Sequence, residues 1–188
     1  MREGRALEDY ARILDHLPQG PPDRSKYARE PVAYALGEDE FKLFELTPKE
    51  GAAITIGDRA YIGKDVDHRD VIQHVKRRLG YDELTTAAQN EIPYVIGEII
   101  KEKEDKFIRF FNEAQAITTR FHMLELLPGL GKKTMWAILE ERKKGPFKSF
   151  EDLAKRVSTI RHPEKVIGKR IEQEIANPGE KYHLFVAR

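Results

Sequence analysis

Apolar and polar residues alternate from Tyr10 to Leu17, and the alternation stops at Pro18. That is the period of a strand with one buried face. Pro18-Gln19-Gly20-Pro21-Pro22-Asp23 reads as a loop. Two further strand-like runs, 32–36 and 41–46, flank Gly37-Glu38-Asp39-Glu40 and predict a hairpin. Ile54-Thr55-Ile56 and Ala60-Tyr61-Ile62 flank Gly57-Asp58 and predict a second one. Short strands packed this densely into the opening third of the chain usually close into a small barrel, OB-like or SH3-like. Tyr34, Phe41 and Phe44 fall on those strands, and barrel interior is their expected place, ahead of a base-stacking surface.

The period then lengthens. Asp67 is placed to cap a helix with Val71, Ile72, Val75 and Leu79 on one face, ending at Gly80. Lys76-Arg77-Arg78 would lie on the solvated side of that helix. From Asn90 to Ala114 the apolar positions Ile92, Val95, Ile96, Ile99, Ile100, Phe107, Phe110 and Phe111 fit a 3.6 period. They predict one long connecting helix with a charged middle at Lys101–Lys106. Beyond Thr118 the pattern predicts four short helices arranged as two hairpins. The first pair spans roughly 119–127 and 131–143. Ser149-x-x-Asp152 opens the third helix and Pro163 the fourth. Asn177-Pro178-Gly179 stops the fourth, and Leu184-Phe185-Val186 is expected to return as a last strand on the barrel.

The densest chemistry lies between the first two of those helices, where Leu126 to Thr134 reads Leu-Leu-Pro-Gly-Leu-Gly-Lys-Lys-Thr. Pro128 and Gly129 end one helix, and Gly131 stands where the next begins. Such a turn leaves backbone N–H groups uncovered at a helix N-terminus, where orphan donors and the helix dipole both favour an anion. Lys132, Lys133 and Thr134 follow directly, so phosphate is the natural guest. The pattern looks like the hairpin of a helix-hairpin-helix element, a sequence-independent grip on nucleic-acid backbones. The apolar flanks Phe121, Leu124 and Leu127 on one side and Met135, Ile138 and Leu139 on the other raise it above a bare glycine cap. Expected contacts are the amides of Leu130, Gly131, Lys132 and Lys133, the charges of both lysines and the Thr134 hydroxyl, with Gly129 shaping the turn. Arg161, Lys165 and Lys169 are spaced by four and, joined by Arg170, suggest a second phosphate contact. The turn before them has no glycine, so any grip there comes from side chains. Trp136 is expected in helix packing. A nucleotide P-loop would need glycine where Leu126 stands, preceded by a strand; neither is present, and nucleotide triphosphate binding is excluded.

Composition limits the alternatives. The chain has 188 residues and no cysteine, so disulfides and thiolate chemistry are excluded. His16, His68, His74, His122, His162 and His183 are scattered, and Asp65, Asp67 and Asp70 read as helix capping plus surface acidity. No metal, no cofactor and no catalytic set is expected. No apolar run is long enough to span a membrane, and the charged start Met-Arg-Glu-Gly-Arg is unlike a signal peptide, so a cytoplasmic protein is expected. Net charge is +1, but it is unevenly spread: residues 1–120 carry 19 Lys and Arg against 23 Asp and Glu, and residues 121–188 carry 14 against 9. The basic excess accompanies the hairpin.

Nearly the whole chain resembles the archaeal family catalogued as domain of unknown function 655. The resemblance is carried by Tyr10-Ala11-Arg12-Ile13-Leu14-Asp15-His16-Leu17-Pro18, Ala60-Tyr61-Ile62-Gly63-Lys64, Ile117-Thr118-Thr119-Arg120-Phe121-His122 and the hairpin from Leu124 to Lys133. It continues through Leu139-Glu140-Glu141-Arg142-Lys143 and Pro146–Leu153. It implies an α+β chain with an OB-like β-barrel over 1–66 and a helical connector over 67–117. Over 118–188 it implies a tandem helix-hairpin-helix-like, SAM-domain-like module ending in a tail strand. It also implies a nucleic-acid-binding role, RNA ahead of DNA, and supplies no reaction; with no catalytic set in the residues, a non-catalytic protein is expected. A protein–protein adaptor using the helical module and a DNA-binding accessory factor are the alternatives.

Overall fold

A computed structural model describes residues 8–188; the charged start of the chain lies outside the described residues. Among these residues the fold is α+β, with a curled five-stranded antiparallel half-barrel sheet and five α-helices. The chain forms two compact units. One takes the residues up to Val95 together with Glu174–Arg188, and the other takes Ile96–Gln173. The division passes inside two helices, so each unit receives part of both.

In the β unit, β1 (Tyr10–Leu17), β2 (Val32–Gly37), β3 (Leu43–Pro48), β4 (Arg59–Tyr61) and β5 (Ile72–Arg78) are ordered β4-β1-β2-β3-β5. The sheet is open, with β4 and β5 as its edges, and does not reach the closure expected of a small barrel. Its buried face is small and aliphatic: Ala11, Ile13, Ala33, Ala35, Leu46 and Ile72 all lose their solvent exposure. Tyr34, Phe41 and Phe44 are buried too. Phe41 precedes β3 rather than starting it, and turns through a positive φ of 55°. The Glu8 carboxylate accepts hydrogen bonds from the Asp39, Glu40 and Lys42 amides around it.

Three expectations in this unit are corrected. Residues 67–80 form no helix; their core is strand β5. β5 pairs with β3 through register shifts that leave Gln73 and Lys76 unmatched. Each bulge puts two residues opposite one, so Ile72 and Val75 fall three apart, which imitates a helical period. Asp67 caps nothing. Asp65 instead accepts from the Asp67 amide and holds a single 3-10 turn, Val66–His68. Ile54–Ile56 form no strand, because Asp58 accepts from the Thr55 amide and curls the segment into a turn. The tail Leu184–Val186 adds no strand either. Its three amides donate to Oε1 of buried Glu174 at 2.8, 3.0 and 3.1 Å, so they are spent before any strand could use them.

In the helical unit the expected long helix is two: α1 (Thr86–Glu102) and α2 (Glu104–Glu113). Lys103, within the all-charged stretch, leaves helical geometry at φ −113° and ψ 36°. Nothing apolar in that stretch holds the backbone to one axis. A short ribbon follows, β6 (Ala116–Thr118) with β7 (Phe121–His122), where a helix from 119 was expected. The Thr118 hydroxyl accepts from the Arg120 amide and tightens the turn, and the β-branched Ile117-Thr118-Thr119 run favours extended backbone. The remaining helices are α3 (Lys132–Lys143), α4 (Phe150–Arg156) and α5 (Pro163–Ala176). Ser149 caps α4 by accepting from the Asp152 amide at 3.0 Å, as its sequence pattern indicates. Asn112 fixes the α2–α4 side by bonding both the amide and the carbonyl of Phe147. Among the described residues no helix is long and apolar enough to cross a membrane.

Candidate nucleic-acid interface

The hairpin is built from its first turn. His122 Nδ1 accepts from the Leu124 amide at 3.0 Å, and Glu125 Oε2 accepts from the His122 amide at 2.7 Å. This reciprocal cap starts a single 3-10 turn, Met123–Leu126. The Leu127 amide donates back to Leu124, and the Leu130 amide donates to Leu127. Between them Gly129 takes φ +76°. Gly131 then caps α3 at φ −76° and ψ 169°, with the first helical bond running from Met135 to its carbonyl.

Two consequences sharpen the expected contacts. Gly129, not Gly131, is the residue that needs a left-handed backbone. A Cβ on Gly131 would meet nothing within 4 Å, and its φ suits any residue. The Leu130 amide is already used, and the Leu130 side chain is buried as an anchor. The row left without an acceptor among the described residues is Gly131, Lys132, Lys133 and Thr134. These donors lie at the positive end of the α3 dipole, equivalent to about half a charge.

The second turn, between α4 and α5, comes to the same place. The Thr134 hydroxyl donates to the Thr159 hydroxyl at 2.8 Å, so its proton is spent on tying the two turns together. Gly129, Leu130, Thr134, Thr159, Arg161, Lys165 and Lys169 line one open cleft of about 370 Å³. Arg161 lies in the turn ahead of α5, and Lys165 and Lys169 stand on successive turns of it. Arg170 leaves the expected stripe. It is buried, and its Nη1 donates to the Leu126 carbonyl at 3.3 Å, locking α5 beneath the hairpin. Lys132, Lys133, Arg161, Lys165 and Lys169 are exposed and form no ion pair among the described residues. Lys143, Lys144 and Lys155 each hold a carboxylate. Unneutralised charge is thus gathered where the amide row opens.

The β unit does not offer the same chemistry. Its larger cleft, about 570 Å³, is lined by Glu30 and Glu50 as well as Lys49, and the Lys49 ammonium donates to the Arg69 carbonyl. The Lys76-Arg77-Arg78 triplet, expected on a solvated helix, lies on edge strand β5. There Arg77 pairs with Glu83 at 2.7 Å, and buried Glu45 draws Lys76 and Arg77 to within 4 Å.

Two residues of the hairpin predict measurable stability effects. At φ +76° a side chain costs about 1–2 kcal/mol, so Gly129→Ala should lower Tm by roughly 2–8 °C, while Gly129→Asn should lose much less. Burial, with repulsion from Arg142, holds His122 below its ordinary value of 6.5. The unfolded chain therefore takes up the proton first. The His122 contribution is complete above about pH 6.5 and is lost as pH falls below it. His122→Asn keeps a capping oxygen and removes the titration. Between pH 7.5 and about 5.5, thermal melts should show the wild type losing more Tm than this variant.

The fold and this site define an α+β protein whose helical unit presents paired turns with a row of amides that have no acceptor among the described residues, beside cations outside any ion pair. The family model described as protein of unknown function (DUF655) matches residues 7–187, and the chain belongs to that family. It is 47% identical over 181 residues to an uncharacterized protein, MJ0038, of Methanocaldococcus jannaschii, covering 96% of this chain and 80% of that one. It is also similar to the crystal structure of Af1531 from Archaeoglobus fulgidus, a family member, with a TM-score of 0.88 and 55% identity. That match covers 96% of this chain and all of the other. Both relatives are archaeal and uncharacterised.

Proposed function

We propose that this protein binds a nucleic-acid backbone, RNA ahead of DNA, and catalyses no reaction itself. The β part would be OB-like and the helical part a helix-hairpin-helix-type module. The observation that carries the reading is the convergence on one cleft. The open amides from Gly131 to Thr134 begin at its edge, and Arg161, Lys165 and Lys169 line it outside any ion pair among the described residues, Glu172 being a carboxylate whose field reaches Lys169. An anion with repeating charge meets both features at once. A neutral peptide or a small neutral ligand meets neither. RNA is placed ahead of DNA because an exposed tryptophan adjoins the grip, and unpaired bases stacked on aromatic side chains are the usual target of RNA recognition.

The test is a binding titration of the full chain with single-stranded RNA, duplex RNA and duplex DNA across a range of salt. Affinity for RNA should fall linearly on a log–log plot as salt rises, because each neutralised phosphate releases condensed counterions. No binding to any of the three at low salt would put the adaptor reading ahead.

A further inference from the structure

Trp136 is the one tryptophan of the chain, and 59% of it is exposed. Met135 and Ile138 carry the buried side of α3, and Trp136 is turned away from them. Lys132 stands one helical turn earlier, and residues four apart share a helix face at roughly 5–6 Å between Cβ atoms. The β6–β7 ribbon supplies the opposite wall. Arg120, Phe121, His122, Lys132, Trp136 and Leu139 line a cleft of about 320 Å³. This cleft is separate from the one containing Lys165 and Lys169. Arg120 and Lys132 form no ion pair among the described residues. The cleft therefore combines a flat apolar wall with two cations outside any ion pair against one carboxylate, Glu125, a net positive lining. That pairing fits a planar apolar body attached to an anion, which is the chemistry of a nucleotide. Glu125, Thr118 and Thr119 border the same space and offer acceptors for a ribose 2′-hydroxyl, the group that separates RNA from DNA. A helix from a protein partner would also cover the indole, but its acids would have to reach Arg120 and Lys132 across the cleft.

We infer that this cleft receives an unpaired base of a single-stranded RNA, stacked on Trp136, while a neighbouring phosphate sits at the start of α3. The inference rests on the backbone-binding reading proposed above and adds a requirement for unpaired strand. Because the chain has a single tryptophan, its fluorescence reports on this cleft alone. The experiment titrates the full-length protein with a fluorescein-labelled oligoadenylate, a blunt RNA duplex and the matching DNA single strand. Tryptophan emission and label anisotropy are read together.

With oligoadenylate, quenching should saturate together with anisotropy. The duplex should bind without quenching, and the DNA strand should need several-fold higher concentration. Trp136→Ala should weaken oligoadenylate binding roughly 5- to 100-fold, the worth of one base stacked on an aromatic ring. It should leave duplex binding within about twofold, and Trp136→Phe should retain most of the affinity. Full-strength oligoadenylate binding by Trp136→Ala, or binding by the wild type without quenching, would overturn the stacking site and leave the backbone reading standing. Equal loss for duplex and single strand would also overturn it. Equal quenching by the DNA strand would overturn the assignment to RNA. If none of the three nucleic acids moves the anisotropy, the backbone reading fails and this inference fails with it.

Discussion

Gly131→Val should cut nucleic-acid affinity by roughly tenfold to a hundredfold and lower stability by no more than about 1 kcal/mol, the cost of a poor helix N-cap. The first half follows from the amide row. A phosphate held by backbone N–H groups accepts charge-assisted hydrogen bonds, each worth about 1.5–3 kcal/mol. A branched side chain at the cap position stands in the path of approach. The second half follows from local geometry. Gly131 sits at φ −76° with open space around it, so valine there strains no backbone and loses only glycine's preference at the cap. That separates it from Gly129, where any side chain costs stability through the positive φ. The check is a Tm measurement beside a binding curve. A folded Gly131→Val protein that binds normally would reduce the hairpin to a structural turn.

Replacing Arg161, Lys165 and Lys169 together by glutamine should act differently. Each exposed cation contributes about 1 kcal/mol with a phosphate in contact in water. The triple variant should therefore lose on the order of tenfold to a hundredfold in affinity at low salt. It should also flatten the salt dependence by about two to three in log–log slope, since each lost phosphate contact removes about 0.7–0.9. Gly131→Val, which removes no charge, should keep more of the wild-type slope. Stability should change little, because none of the three side chains makes an ion pair among the described residues. A triple variant with an unchanged slope would place the backbone contact elsewhere on the surface.

Much of this site can be read in the sequence because it is local. The Gly129-Leu130-Gly131-Lys132-Lys133 turn, the Ser149 cap and Pro163 at the start of α5 depend only on near neighbours, and they appear where their patterns put them. Strand β1 is also where the sequence puts it, Tyr10 to Leu17, although a register shift at Leu14 and four successive buried residues replace the expected alternation. Illegible features depend on partners distant in sequence. The β5 bulges arise from pairing with β3 and turn a strand into an apparent helical face. The tail loses its strand to Glu174, a carboxylate on α5. Arg170 looks like a member of the basic stripe until the Leu126 carbonyl claims it. Trp136 carried a usable signal, since Met135 and Ile138 define the buried arc of α3 and residue 136 falls about 100° off Met135. The cleft it lines needs the β6–β7 ribbon, which the helical expectation for 119–127 hid. A chain cut at Thr118 would lack part of the helical unit. The helical unit begins at Ile96, and its buried residues include Phe107, Ile108 and Phe111 of α2.

The most direct measurement is an amide ¹H–¹⁵N correlation spectrum of the full chain, recorded as an RNA oligonucleotide is added at low salt. The Gly131, Lys132, Lys133 and Thr134 amides should move first and furthest, in fast exchange or by line broadening. Thr159–Arg161 should follow, and the β5 edge should stay still. Shifts confined to the β unit, or a spectrum in which Gly131–Thr134 do not respond while RNA is bound, would contradict the claim that the hairpin holds the backbone.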